Sequence, residues 1–127
     1  MKIILKTIPN KKHRYPTIGD WKIKTWCDTL KLTILASKEI GRDYAFLILI
    51  HELIEAFLCH KHGISDESVV TWDLCHPDAA EPGDLFGCPY RLEHNQATSV
   101  EKLVAVMLGV SWEAYERKLD LVFKGYR

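Results

Sequence analysis

The chain is 127 residues long, which fits one domain built around one hydrophobic core. Lys+Arg and Asp+Glu each number 17, so the formal net charge is zero and gives no electrostatic footprint for nucleic acid or for an acidic membrane surface. The first residues hold too short an apolar run for a signal peptide and the four cysteines lack CxxC spacing, so a soluble, cytoplasmic chain with reduced thiols is expected.

Strands come first in the chain, then helices. Ile3, Leu5 and Ile8 among lysines predict a first strand, closed by Pro9-Asn10. Tyr15-Pro16 and Gly19-Asp20 bracket a turn before Trp21 to Trp26, which alternates with period two. Leu30 to Leu35 alternates as well, with Leu30, Leu32 and Ile34 on one side. Residues 37–43 form the joint into a helix that Gly63 ends, after the basic run His60-Lys61-His62.

That helix carries the most informative stretch, Tyr44 to Cys59, YAFLILIHELIEAFLC. Its apolar run over 44–50 is interrupted too early to span a bilayer. A helix apolar nearly all round belongs in a core, with other elements covering every side. Yet His51, Glu52 and Glu55 fall within about one helical turn of it. A buried carboxylate costs several kcal/mol, in order of magnitude, unless it is paired or bound to a metal. His51 and Glu55, four residues apart, project from one face and could grip one ion, while Glu52 points about 100° away. The spacing is that of H-E-x-x-H, the zinc-binding helix of metalloproteases, with Glu in place of the second His. The competing structural account is a core carboxylate, Glu52 or Glu55, neutralised by Arg42, Arg91 or Lys102.

Downstream, Ser65 caps a short helix to about Leu74, stopped by Pro77. Residues 77–89, PDAAEPGDLFGCP, form the only long loop, of the kind used as a lid or binding loop. A third helix runs from about Tyr90 to Leu108 and ends at Gly109, with Val100, Leu103, Val104, Val106, Met107 and Leu108 as its apolar face. Ser111 caps a last amphipathic helix whose Trp112, Tyr115, Leu119 and Val122 share one face. The fold class expected is α+β: a small N-terminal antiparallel sheet packed on the buried helix and three further helices, in a single domain over 1–127.

A catalytic zinc takes three protein ligands, which leaves one to find. The candidates are His60, His62, Cys59, Asp73, Cys75, His76, Cys88 and His94. His62 lies about 16 Å along the helix from His51, too far for a shared ion. His60 and His62 read as exposed residues at the helix C-terminus, Cys59 as a small buried hydrophobe, and Cys75-His76 sits at a helix end. His94 stands out because small residues, Ala97, Thr98 and Ser99, follow it and would let another helix approach.

With H-E-x-x on a buried helix and a downstream helix supplying the third ligand, the chain resembles the zincin fold of small cytoplasmic metallopeptidases. The pattern is most similar to the metallopeptidases that act on phage repressors and stress regulators, whose second helix reads E-x-x-A-N-x-F-A with the Glu as zinc ligand. His94-Asn95-Gln96-Ala97-Thr98-Ser99-Val100-Glu101 follows that pattern loosely, with His94 in the Glu position. The resemblance therefore implies one zinc per chain held by His51, Glu55 and His94, the family's His, His and Glu with two positions exchanged. Gly19-Asp20-Trp21, His51 to Ala56, Leu58-Cys59, Pro82-Gly83-Asp84, Pro89-Tyr90 and Glu93-His94 also resemble a group of small phage and bacterial proteins of no established activity.

The chemistry implied is hydrolysis by an intracellular peptidase. Zinc polarises a carbonyl and acidifies a water, and Glu52 takes the proton as general base. Tyr90 is a candidate oxyanion donor or, alternatively, a packing residue at the helix start. Asp73 and Glu101 are candidates to orient a ligand histidine. Loop 77–89 would form a lid, and an edge strand among residues 21–35 could bind an extended peptide. The other reading is a catalytically silent zincin-like domain that binds a partner protein, with a structural metal or a salt-bridged core.

Overall fold

The computed structural model describes residues 1–125. Strands β1 (Lys2–Ile8), β2 (Gly19–Trp26) and β3 (Thr29–Ser37) form one sheet in the order β1-β3-β2. The β2–β3 hairpin is antiparallel, pairing Trp21 with Ile34 and Ile23 with Leu32. Its turn is tight enough to hold Cys27 in the left-handed region, at φ 51°. β1 runs parallel to β3, Ile3 beside Leu32 and Leu5 beside Ile34. The α+β class therefore holds, while the sheet is mixed rather than wholly antiparallel. Alternation in a strand shows which face is buried; it says nothing of the direction in which the partner strand runs.

Four helices follow: α1 (Arg42–Lys61), α2 (Asp66–Cys75), α3 (Arg91–Leu108) and α4 (Trp112–Lys124). Ser65 and Ser111 accept backbone N–H groups at the starts of α2 and α4, and Gly63 and Gly109 take left-handed conformations just past α1 and α3. The long loop between α2 and α3 contains a 3-10 turn at Pro82–Asp84.

The sheet presents Trp21, Leu32 and Ile34 to α1, all 2 % exposed or less. The core divides into two clusters, and α1 runs through both. Ala45, Leu47 and Ile48 pack with Ile18, Ala36, Ala105, Tyr115 and Phe123, while Ala56 and Cys59 pack with Trp21, Leu32, Ile34, Val69 and Tyr90. The polar turn of α1, residues 51–55, lies between the two clusters. α3 lies antiparallel to α1: His62 meets Glu93, His51 meets Glu101, and Leu47 shares a cluster with Ala105.

Two expectations fail here. α1 is not covered on every side, for Phe46 and Phe57 are 44 % and 40 % exposed. The apolar face expected of α3 is also largely outside, with Leu103, Val106 and Met107 all at least 60 % exposed. The buried face of α3 is the polar one, Glu93, His94, Ala97, Glu101 and Ala105. α3 turns that side inward because those carboxylates and the imidazole find partners on α1, on His62 just past it and on α4, whereas of the expected apolar face Val104 packs against the core and the others stay exposed. No helix among the described residues is long and apolar enough to cross a membrane.

Candidate metal centre

Three ligand atoms converge between the two core clusters. His51 Nε2 lies 3.1 Å from Glu55 Oε2 and 3.1 Å from His94 Nδ1, and the latter two atoms are 2.9 Å apart. All three residues are buried. They are the one group of metal-ligating side chains, among the described residues, whose atoms gather in this way, and they could hold a metal ion. Ligands about 2.0–2.1 Å from a tetrahedral zinc stand roughly 3.3–3.4 Å from one another, so an outward shift of a few tenths of an ångström would admit the ion.

The neighbours hold each ligand in place. His51 Nδ1 donates to Glu101 Oε1 at 2.8 Å, and Glu101 also accepts the Tyr115 hydroxyl. Glu55 accepts the indole N–H of Trp21 on Oε1 at 2.9 Å, which leaves Oε2 to the histidines. His94 Nε2 lies 3.1 Å from Asp84 and 3.7 Å from Glu81, both on the long loop. Gly83 of that loop is buried against the His94 imidazole, and any Cβ there would collide with the ring. Gly19 is constrained similarly, since a Cβ would stand 2.7 Å from Glu52 Oε1.

Protonation follows from these contacts. Burial alone would lower His51, but the hydrogen bonds and charges of Glu101 and Glu55 raise it well above the ordinary imidazole value. His94 is also raised: burial and His51 oppose this, and the Glu55 hydrogen bond overcomes them. Burial would raise Glu55, yet the two histidines bring it down to about 2. Burial, reinforced by the Glu55 charge, pushes Glu52 well above the usual carboxylate range. Two imidazoles therefore neutralise Glu55. The expected Arg42, Arg91 and Lys102 all lie exposed, and none forms an ion pair with Glu52 or Glu55.

Glu52, Glu55, His51 and His94 line one side of a cavity of about 640 Å³, within the usual range for a small-molecule or peptide-side-chain site. Asp73 and Tyr90 line it as well. Asp73 does not orient a histidine. It accepts the hydroxyls of Tyr15, at 2.8 Å, and Tyr90, and burial raises its carboxyl to about 6 against the pull of those bonds. Tyr90 is buried and gives its proton to Asp73 rather than to the cavity, so its geometry is that of a packing residue.

Of the remaining candidates, Cys59 is fully buried in the core and His60 is exposed. His62 pairs with the buried Glu93 at 2.8 Å, a role its C-terminal position did not suggest. Cys75 is exposed, and His76 stacks on Trp72 with ring centroids 4.1 Å apart. Trp21, Tyr115, Tyr15, Asp84 and Glu81 were not foreseen as parts of the site. For Trp21 and Asp84 a trace existed, since Gly19-Asp20-Trp21 and Pro82-Gly83-Asp84 are among the segments that carry the resemblance.

No family model matches the chain, and no curated protein or solved structure matches it at a significant level.

Proposed function

We propose that the chain is a zinc-dependent hydrolase, an intracellular peptidase acting on a protein or peptide. The observation that carries this reading is the convergence of His51 Nε2, Glu55 Oε2 and His94 Nδ1, 2.9–3.1 Å from one another and a few tenths of an ångström short of the spacing around a tetrahedral ion, on the wall of a cavity that Glu52 also lines. Zinc held there would polarise a carbonyl and lower the pKa of water towards about 7. Glu52 serves as general base. Burial, reinforced by the Glu55 charge, raises its carboxyl above the usual range, and a nearby dication would favour the carboxylate that can take a proton and return it to the leaving amine. Trp21 and Glu101 hold Glu55 and His51 in their ligating orientations, and the Asp84 carboxylate lies 3.1 Å from His94 Nε2, across the ring from the Nδ1 that would face the ion. β2, an edge strand whose first residues border the cavity, offers backbone groups to an extended peptide.

The test is the metal content of protein purified without chelator or added metal, followed by cleavage of an unstructured protein substrate. One zinc per chain is expected, with hydrolysis lost on chelation and restored by zinc. Protein that neither carries nor takes up zinc would end this reading. The second reading, a silent zincin-like domain that binds a partner protein around a structural metal, is favoured by the exposed apolar residues of α1 and α3. One zinc per chain with no hydrolysis of any protein substrate would select it.

A further inference from the structure

Zero net charge conceals a separation of charge. Residues 1–39, which form the sheet and its turns, hold nine Lys and Arg against three Asp and Glu, and the remainder of the chain holds eight against fourteen. The sheet concentrates its excess on one face. Trp21, Ile23, Leu32 and Ile34 pack towards α1, so alternation turns Lys22, Lys24 and Lys31 outward, together with Lys2 and Lys6 of β1. Lys2, Lys31 and Lys24 stand side by side across the three strands, within about 10 Å at ordinary strand spacing. Ile4, Thr33 and Lys22 form the next row, and Lys6, Leu35 and Asp20 the one after.

Like charges directly opposite one another on a sheet oppose pairing, so such a row needs anions from somewhere. The chain does not supply them. Among the described residues the Lys and Arg in ion pairs are Arg14, Arg42 and Lys124, so none of the five lysines is paired. Of the three carboxylates in residues 1–39, Asp20 is buried and bound by Arg14, and Glu39 accepts the backbone N–H of Asn10. The third, Asp28, stands in the hairpin turn beyond Trp26. Trp26 shares the outer face, is 45 % exposed, and has Lys24 Nζ 5.7 Å from its ring centroid.

We propose that this outer face binds single-stranded nucleic acid, its lysines along the phosphates and Trp26 against a base. Lysines that track a phosphate backbone beside an exposed aromatic ring are the combination that holds a single strand, whereas a duplex hides its base faces from Trp26. A bilayer would need apolar side chains to insert among the charges. This face exposes Trp26 but keeps Ile4 and Ile8 half-buried, and the exposed Ile3 and Leu5 lie on the opposite side of β1, in register with Leu32 and Ile34. A second copy that offered its acidic part would make a head-to-tail contact, which leaves a basic face free at the end of every row of copies. The lysines lie across the sheet from Trp21, whose indole reaches Glu55, so this surface is separate from the cavity and the proposal does not depend on zinc.

Fluorescence anisotropy of a labelled oligothymidine of about 12 nucleotides, titrated with the full chain at several salt concentrations, tests this. Affinity should fall with salt at a slope of roughly −3 to −4 in log–log form, from five lysines at about 0.7 each. Lys22→Gln and Lys24→Gln, both at exposed positions, should each flatten the slope by about 0.7, with the circular dichroism spectrum unchanged. Trp26→Ala should weaken binding about tenfold with the slope unchanged, because stacking releases no counterions. Lys118→Gln, at an exposed position of α4, should bind as wild type does. No binding at low salt overturns the proposal, as does an equal loss in Lys22→Gln and Lys118→Gln. Tighter binding to a duplex of the same length, or to phosphatidylserine vesicles, overturns it in favour of that partner. Self-association at low salt that the lysine variants abolish, with no oligonucleotide bound, overturns it in favour of a second copy.

Discussion

Glu101 receives the Nδ1 proton of His51 at 2.8 Å, and this fixes which nitrogen of that imidazole faces Glu55 and His94. A carboxylate can only accept, so Nδ1 must be the protonated nitrogen and Nε2 the free lone pair in the neutral ring. The bond spans the two helices and ties the polar face of α3 to the polar turn of α1. Glu101→Ala should weaken zinc binding roughly 10- to 100-fold, the usual cost of removing a carboxylate behind a ligating histidine. Tyr115→Phe, which removes only the second bond to Glu101, should cost less. Competition with a chromophoric chelator measures both, and full zinc affinity in Glu101→Ala would show that His51 needs no such support to ligate.

Glu52→Gln separates the base from the ligands. The change keeps shape, so zinc content should stay near wild type while hydrolysis falls by about 10²-fold or more. Loss of zinc would make Glu52 itself a ligand. The metal-free protein gives a second readout. A carboxyl raised on folding costs no stability below its ordinary value of 4.5 and progressively more as pH rises towards its folded value. The amide escapes that penalty, so metal-free Glu52→Gln should melt above metal-free wild type at neutral pH. The gap should close as pH falls towards 4.5.

The helix of residues 44–59 was legible because polar residues inside an apolar run demand partners, and i,i+4 spacing places His51 and Glu55 together. Caps at Ser65 and Ser111 and stops at Gly63 and Gly109 were legible for the same local reasons. What neutralises Glu55 was not. Arg42, Arg91 and Lys102 are the residues a charge count suggests, yet the two imidazoles expected as fellow ligands neutralise it, and the indole of Trp21, thirty-four residues away, adds an unforeseen hydrogen bond. Long-range side-chain bonds leave no periodic trace. The apolar residues of α3 misled for a different reason: amphipathicity identifies two faces, and the chain alone cannot say that the polar face is the inner one when its partners lie on α1 and α4. The parallel pairing of β1 escaped similarly, since register and direction depend on where β3 returns.

The buried pairs also set the pH dependence of zinc binding. His51 and His94 are raised above 6.5 in the metal-free fold, so their contribution to stability is fully present below 6.5 and is lost as pH rises through the raised values. Glu55, lowered to about 2, contributes above its ordinary 4.5 and loses that contribution as pH falls towards 2. The metal-free cluster therefore supports the fold most between about 4.5 and 6.5. Zinc must displace the imidazole protons, so its affinity should climb steadily as pH rises above 6.5 and level off beyond the raised values. Chelator competition across pH 6 to 9 follows this, and a flat profile would mean that neither imidazole gives up a proton to the ion.

The exchange of Glu for the second His can be reversed. Glu55→His restores H-E-x-x-H and leaves a three-His site, and imidazole reaches zinc about as well as carboxylate does, so the variant should still bind one zinc per chain. Glu55→Ala should lose most of the affinity, because two protein ligands rarely hold the ion. A neutral ligand in place of an anionic one raises the net charge at the metal, so the acidic limb of any pH–rate profile should move downward. A purely structural network predicts the opposite pattern. Glu55 would then serve only to neutralise His51 and His94, and either substitution would leave two raised imidazoles and the Trp21 N–H without their acceptor. Glu55→His would destabilise the fold about as much as Glu55→Ala, with no difference between them in zinc content. Zinc per chain and melting temperature for the two variants decide the matter, and equal behaviour would remove Glu55 from the metal site.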